Sequence, residues 1–254
     1  MPQLGDRFGT FKSEISALGD ADALELSDVQ TPTFELQRRR NLVVYYAPVD
    51  WLWPTARIAV VGITPSANTM LLAHRIAARC LADGRGCHAA LQAVKRSALF
   101  SGFRACLIER LDALGVAAHL GMESASGLFE QPHTRLLHAT AAVRYPTFNG
   151  SRNYDGQSPR LLARGGILRP YVYDVLAPEL DLIPDALVVP LGVRVDEALA
   201  ALASDELLDP ARCLVGFPHP SGANASGSRQ WELNRAGLKR QVTEWFAEHP
   251  VEPS

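Results

Sequence analysis

Val61-Gly62-Ile63-Thr64-Pro65-Ser66 and Gly216-Phe217-Pro218-His219-Pro220-Ser221-Gly222-Ala223-Asn224 each follow a short apolar run. In an open α/β sheet, loops leaving the carboxyl ends of parallel strands converge on one crevice. Two turns stiffened by Gly and Pro, one offering a hydroxyl and the other an imidazole, are therefore expected to face each other across a pocket. Outward from them, four apolar runs bounded by turn residues read as buried strands: 57–63, 136–143, 186–191 and 212–217. Helical stripes lie between and after these runs: Leu72, Ile76 and Cys80; Phe103, Leu107, Leu111 and Leu114; Val195, Leu199 and Leu202; Trp231, Leu238, Val242 and Trp245 ahead of Pro250. Strands alternating with helices predict an α/β fold, a three-layer α/β/α sandwich around a central four-stranded, mainly parallel sheet. The 254 residues are expected to form a single domain, with 1–43 an N-terminal extension packed on it.

Composition narrows the function classes. The chain is 47% hydrophobic and 20% charged, ordinary for a globular protein. Its net charge of −2 excludes binding of nucleic acid through bulk basicity. Any DNA contact needs a local positive patch, because phosphate binding scales with neutralised contacts. Lys12, Lys95 and Lys239 are the only lysines, so arginine dominates. Arginine suits bidentate phosphate contact, and GC-rich coding gives the same bias. Cys80, Cys87, Cys106 and Cys213 form no C-x-x-C pair and no zinc-like spacing. Buried free thiols in a reducing compartment are expected, with no metal and no cofactor. No signal segment opens the chain, and no apolar run approaches about 18 residues. A soluble, cytoplasmic protein without a membrane partner follows, and nothing requires more than a monomer.

Two aromatic segments break the regular plan. Residues 145–159 are long, polar and aromatic and follow the second apolar run, so they read as a ligand-contacting loop or as a solvated one. Residues 45–51 carry Tyr45, Tyr46 and Trp51, which suit packing under a sheet as well as base stacking. Neither a Gly-x-Gly-x-x-Gly fingerprint nor a phosphate-binding Gly-x-x-x-x-Gly-Lys loop occurs. Ser66 and Ser221 follow prolines rather than occupying a nucleophile elbow.

Gly62-Ile63-Thr64-Pro65-Ser66 resembles the first motif of the uracil-DNA glycosylase superfamily, and His219-Pro220-Ser221-Gly222-Ala223-Asn224 resembles its second. Leu137-His138-Ala139-Thr140-Ala141-Ala142-Val143 resembles the intervening strand. The ordered set spans about residues 44 to 246. The resemblance implies a monofunctional glycosylase that flips a base out of DNA and hydrolyses its bond to the sugar. His219 matches the residue that hydrogen-bonds the departing base, where water is excluded and such a bond counts most. Implied DNA contacts are Pro65, Ser66, Pro220, Ser221, Gly222 and Asn224, joined by Arg152 and Arg229 beside the loops.

Three departures shape the expected substrate. Thr64 stands where the family has a water-orienting Asp or Asn, and a hydroxyl is no general base at neutral pH. Asp50, Asp155 or the amide of Asn68 is the candidate to share that task. Ala141 matches the Asn that reads the uracil edge, and Ala223 the Leu that fills the vacated stack. Losing a hydrogen-bonding reader abandons strict uracil selection. The pocket, with Ile63, Ala141, Phe148, Asn149 and Tyr154 as base-binding candidates, is expected to take a bulky modified pyrimidine. Glucosylated hydroxymethylcytosine in phage DNA, removed as antiviral defence, is the favoured case. Repair of uracil or another deaminated base, and a catalytically inactive binder of modified DNA, are the competing readings.

Overall fold

Strands buried on both faces pair in parallel in this chain, while strands with one polar face pair antiparallel. The structure, a computed structural model, describes residues 6–221 and 227–251. Its strands are β1 (Glu35–Arg39), β2 (Leu42–Tyr45), β3 (Ile58–Gly62), β4 (Leu137–Ala141), β5 (Thr147–Asn149), β6 (Arg152–Asn153) and β7 (Leu187–Pro190). Its α-helices are α1 (Asp6–Ser16), α2 (Leu26–Val29), α3 (Ala67–Ala82), α4 (Cys87–Ser97), α5 (Arg104–Ala113), α6 (Val116–His119), α7 (Ala177–Asp181), α8 (Val193–Ser204) and α9 (Gly227–Glu248). The protein is mixed α/β. Two compact units divide it: one takes the described residues of 1–52, 63–99 and 140–176, the other those of 53–62, 100–139 and 177–254.

The first unit is built on an antiparallel sheet in the order β1-β2-β5-β6. Its register makes two neighbouring cross-strand rows, Arg39–Leu42–Asn149–Arg152 and Arg38–Val43–Phe148–Asn153. Pleating sends successive rows to opposite faces. In the second row Val43 and Phe148 are buried, and Asn153 Oδ1 accepts a hydrogen bond from Ala67 N at the start of α3 (3.0 Å). Residues 1–43 are integral to this unit where described: α1 buries Phe8 and Ile15, and Phe11 stacks on Tyr46 at 4.2 Å between ring centroids. The stripe expected on α3 is rotated. Met70, Ala73, His74, Ala77 and Ala78 are buried, and so is Cys80, but Leu72 and Ile76 lie only half-buried. A face rich in alanine lets the helix approach closely, which the larger residues would prevent.

The second unit is built on a parallel sheet in the order β4-β3-β7. β3 pairs with β7 from Ile58↔Leu187 to Val61↔Pro190, and every residue of both strands is buried, the signature of a sheet covered on both faces. The expected stripes on α5, α8 and α9 are largely in the core, through Leu107, Leu111, Val195, Leu199, Leu202, Leu238, Val242 and Trp245. Two buried polar side chains here find partners: His138 Nε2 lies 2.8 Å from Glu179 Oε1. Arg212, 5% exposed, gives its guanidinium to three carbonyls, Ala186 O (3.0 Å), Leu180 O (3.3 Å) and Ile183 O. A planar fork with five donors can hold a loop in this way.

Two expectations need correction. The central sheet is three-stranded, not four-stranded. Residues 212–217 contribute one parallel bridge, Val188↔Cys213, and the bond from Leu214 N to Val188 O (2.9 Å). Val215 N then turns back to Cys213 O, and Gly216 takes φ +86°, so the chain leaves the sheet. Pro218 and Pro220 have no N–H with which to rejoin it. Residues 145–159 are not one loop either, because β5 and β6 form a hairpin inside them, turning at Gly150 with φ +62°. Among the described residues, no helix is long and apolar enough to cross a membrane.

His74 links this packing to pH. It is fully buried, its Nδ1 bonds Met70 O (2.9 Å), and Phe34 meets its ring edge-on at 4.7 Å. Burial lowers its pKa to about 4, against about 6.5 in the unfolded chain. The unfolded chain therefore takes up the proton first. The stability that a neutral His74 supports is whole above about 6.5 and falls as pH drops toward 4, by about 3 kcal/mol. His74→Leu should flatten that part of the stability–pH curve in urea unfolding. An unchanged curve would assign the acid sensitivity to other groups.

Candidate functional site

In the second unit, the chain beyond Leu214 has no ladder to lean on, and side chains replace it. Gly216 N donates to Asp196 Oδ2 (3.2 Å), and Gly216 O accepts from Asn234 Nδ2 (2.8 Å). A Cβ at Gly216 would come within 3.0 Å of that amide. Phe217 O accepts from Gly192 N (3.1 Å), and Pro218 O from Arg110 Nη1 (2.7 Å). Gly192, at φ +89°, lies so close to His219 that a Cβ there would sit 3.2 Å from His219 Cβ. Burial pushes the Asp196 carboxyl up to about 6.

The loop delivers His219 in a defined chemical state. Ser221 N donates to His219 Nδ1 (3.1 Å), so Nδ1 is the bare nitrogen and the neutral ring carries its proton on Nε2. Burial, and then the nearby Arg110 charge, hold the imidazole pKa below its ordinary value. Phe103 meets the ring edge-on at 5.0 Å between centroids. Pro220 is buried and Ser221 half-buried. Gly222, Ala223 and Asn224 lie outside the described residues. Arg229 is exposed on α9.

In the first unit, Tyr145 joins two candidate residues. Its hydroxyl donates to Asp50 Oδ1 (2.5 Å), and its carbonyl accepts from Thr64 Oγ1 (2.8 Å). Asp50 is 1% exposed and also accepts from Tyr46 (2.8 Å). Burial raises its pKa, opposed by the Tyr145 bond and by the charges of Arg144 and Lys95. Both tyrosine hydroxyls are pushed well above their ordinary range by burial and by the carboxylate. Thr64 Oγ1 accepts in turn from Thr147 N (3.0 Å), so its proton is committed to Tyr145 and its oxygen to the start of β5.

The remaining candidates divide between surface and core. Asn68 is exposed, Ile63 half-buried and Pro65 buried. Ser66 caps α3 by accepting from Thr69 N (3.1 Å), so this amide and that of Ala67 are engaged within the chain. Ala141, Phe148 and Tyr154 are buried, and Tyr154 donates to Pro159 O (2.5 Å). Asn149 is exposed and donates to Ser158 O (2.8 Å), Arg152 is exposed on β6, and Asp155 is exposed with Gln157 N on its Oδ1 (3.0 Å). Sequence reasoning missed Arg110, Asn234 and Asp196 beside the second loop and Tyr145 as the joint between Asp50 and Thr64. No local pattern marks them, since each acts on a residue far along the chain. Among the described residues, no three His, Cys, Asp or Glu side chains cluster so as to hold a metal ion.

The chain is 33% identical over 228 residues to the uncharacterized protein YoxB of Bacillus subtilis (strain 168), covering 89% of this chain and 88% of that protein. No family model matches the chain, and no solved structure matches it.

Two variants probe this geometry. Arg110→Met should raise the His219 pKa toward about 6.5 in an NMR titration of the imidazole, because a neighbouring cation disfavours the imidazolium. An unmoved pKa would limit Arg110 to holding Pro218. Thr64→Val leaves the buried Thr147 amide unmatched, while Tyr145 O keeps its bond from Thr147 Oγ1 (3.0 Å), and should cost about 1–3 kcal/mol in denaturant unfolding.

Proposed function

The chain belongs to the YoxB family, and we propose that it is a DNA glycosylase, with the fold of the uracil-DNA glycosylase type and His219 as the group that stabilises the departing base. The observation that carries this reading is the state of the imidazole. A leaving pyrimidine takes the electron pair of its bond to the sugar onto its ring nitrogen and spreads the negative charge onto the adjacent exocyclic carbonyl oxygen. A neutral N–H donor, fixed in direction and shielded from water, stabilises that charge without reorganising. His219 approaches those requirements through the Ser221 bond, its half-buried position and the Arg110–Pro218 clamp. Water supplies the oxygen that bonds to the sugar carbon, and its proton balances the departing base.

Substrate choice follows from what the chain lacks. Ala141 is buried and has no amide with which to read a uracil edge, so the favoured substrate is a bulky modified pyrimidine such as glucosylated hydroxymethylcytosine in phage DNA. Asn68, exposed at the start of α3, is the proposed water-orienting residue. Asp50 is 1% exposed with both carboxylate oxygens bonded by tyrosines, and the Thr64 hydroxyl is engaged within the chain as donor and acceptor. Thr64 also favours a second reading, an inactive binder of modified DNA, because its only hydroxyl proton is spent on Tyr145. DNA is the proposed partner, the monomer the proposed working form and the cytoplasm the proposed compartment.

Duplexes carrying uracil, hypoxanthine or glucosylated hydroxymethylcytosine separate these readings. Abasic product from the glucosylated duplex is expected, and His219→Ala should slow it roughly 10²–10³-fold. Because the imidazole acts as a neutral donor with a lowered pKa, the rate should hold from pH 8 to below about 6.5 and fall only under more acid conditions. Tight binding with no abasic product at stoichiometric protein would establish the inactive binder. Wild-type turnover by His219→Ala would return this residue to a structural role.

A further inference from the structure

The antiparallel sheet of the first unit has a face that carries none of the residues proposed for catalysis, though Asn149 and Arg152 on it are among the candidate base and DNA contacts. The row Arg39–Leu42–Asn149–Arg152 runs straight across all four strands, so these side chains leave the sheet on the same side. A groove of about 400 Å³ opens there, lined by Arg39, Arg40, Asn41, Leu42, Asn149 and Arg164 among others. Resting on the DNA reading for the identity of its partner, we infer that this groove and the adjoining Arg152 bind the phosphodiester backbone of DNA.

Charge points to a polyanion. Residues 35–42 and 147–169 hold seven arginines against two carboxylates, Glu35 and Asp155, a local excess of five in a chain of net charge −2. Glu35 is taken by Arg38, and Arg169 sits over the Tyr173 ring at 3.9 Å. Arg39 reaches the Gly165 carbonyl, which ties the two walls of the groove together. Arg40, Arg152 and Arg164 then supply exposed guanidinium groups to which no carboxylate of the described residues is bonded. Arg40 holds φ 55° in the turn between β1 and β2, where glycine or asparagine is the usual residue. That turn puts its side chain on the rim of the groove.

Shape points the same way. Strands lie about 4.8 Å apart, so the row from β1 to β6 covers about 14 Å. At about 3.4 Å of helix axis per nucleotide of one strand, that length spans roughly four nucleotide steps of a duplex. Guanidinium forks bind phosphate oxygens in pairs, and Asn149 and Asn41 add neutral donors between them. The aliphatic parts of the arginines would face the sugars, above the floor that the buried Leu42 forms.

The test is fluorescence anisotropy of an unmodified duplex oligonucleotide with the full chain across a range of salt concentrations. Each phosphate contact adds about 0.9 to the slope of log K against log salt. Replacing Arg40, Arg152 and Arg164 together by Ala should reduce the slope by about 2–3 and weaken binding at 0.1 M salt by on the order of 10²-fold. The corresponding triple replacement by Lys should restore most of the slope, which a merely structural role would not do. A slope equal to that of wild type in the Ala variant, with both proteins unfolding at the same temperature, would overturn the inference. Inorganic phosphate and a free mononucleotide are the other arms: saturable binding of either that the Ala variant loses, while the duplex slope stays intact, would also overturn it. Excision is read separately on the duplex with a glucosylated base. A reduced slope with no excision by wild type would uphold the groove and refute the glycosylase; excision with an unchanged slope would do the reverse.

Discussion

Leu214 makes the last backbone bond to the parallel sheet, and the chain beyond it depends on side chains for what the ladder no longer provides. Every buried amide and carbonyl needs a partner. Here Asp196 and Asn234 serve Gly216, Gly192 serves Phe217, Arg110 serves Pro218, and Ser221 serves the imidazole itself. Charged groups among these partners make the stronger bonds. The result is a loop whose direction is set by packing rather than by secondary structure. That is the condition for presenting one imidazole in one tautomer.

The Asp50 cluster shows a different balance. A carboxylate buried among two tyrosines would be costly if unpaired, and its raised pKa records that cost. Two short hydrogen bonds and the charges of Arg144 and Lys95 offset it. Tyr145 carries the constraint onward, because the same residue that bonds Asp50 also receives the Thr64 proton. Thr64 thereby pins the loop ahead of α3 to the start of β5. In a low-dielectric interior such a network is strong when complete and costly when one member is lost.

Electrostatics also separates the bulk from the local. A chain of net charge −2 has no general attraction for nucleic acid. Pairing β1 with β2, β2 with β5 and β5 with β6 gathers arginines from two distant segments onto one sheet. The field that acts on a partner is set by that gathering and not by the total.

Periodicity by itself identified the strands at 57–63, 136–143 and 186–191 and the apolar faces of α5, α8 and α9, because an apolar run buried on both sides is a local signal. Composition also settled that arginine would carry the positive charge. The fourth central strand was misread because Val215 and Gly216 turn out of a run that still looks apolar. Strands β5 and β6 are short and polar on one face, so only pairing with β2 makes them strands. The His219 motif was visible, but its chemical state was not. Arg110, Asp196 and Asn234 reach it from distant positions, and hydrogen bonds between such residues exist only once the chain is folded.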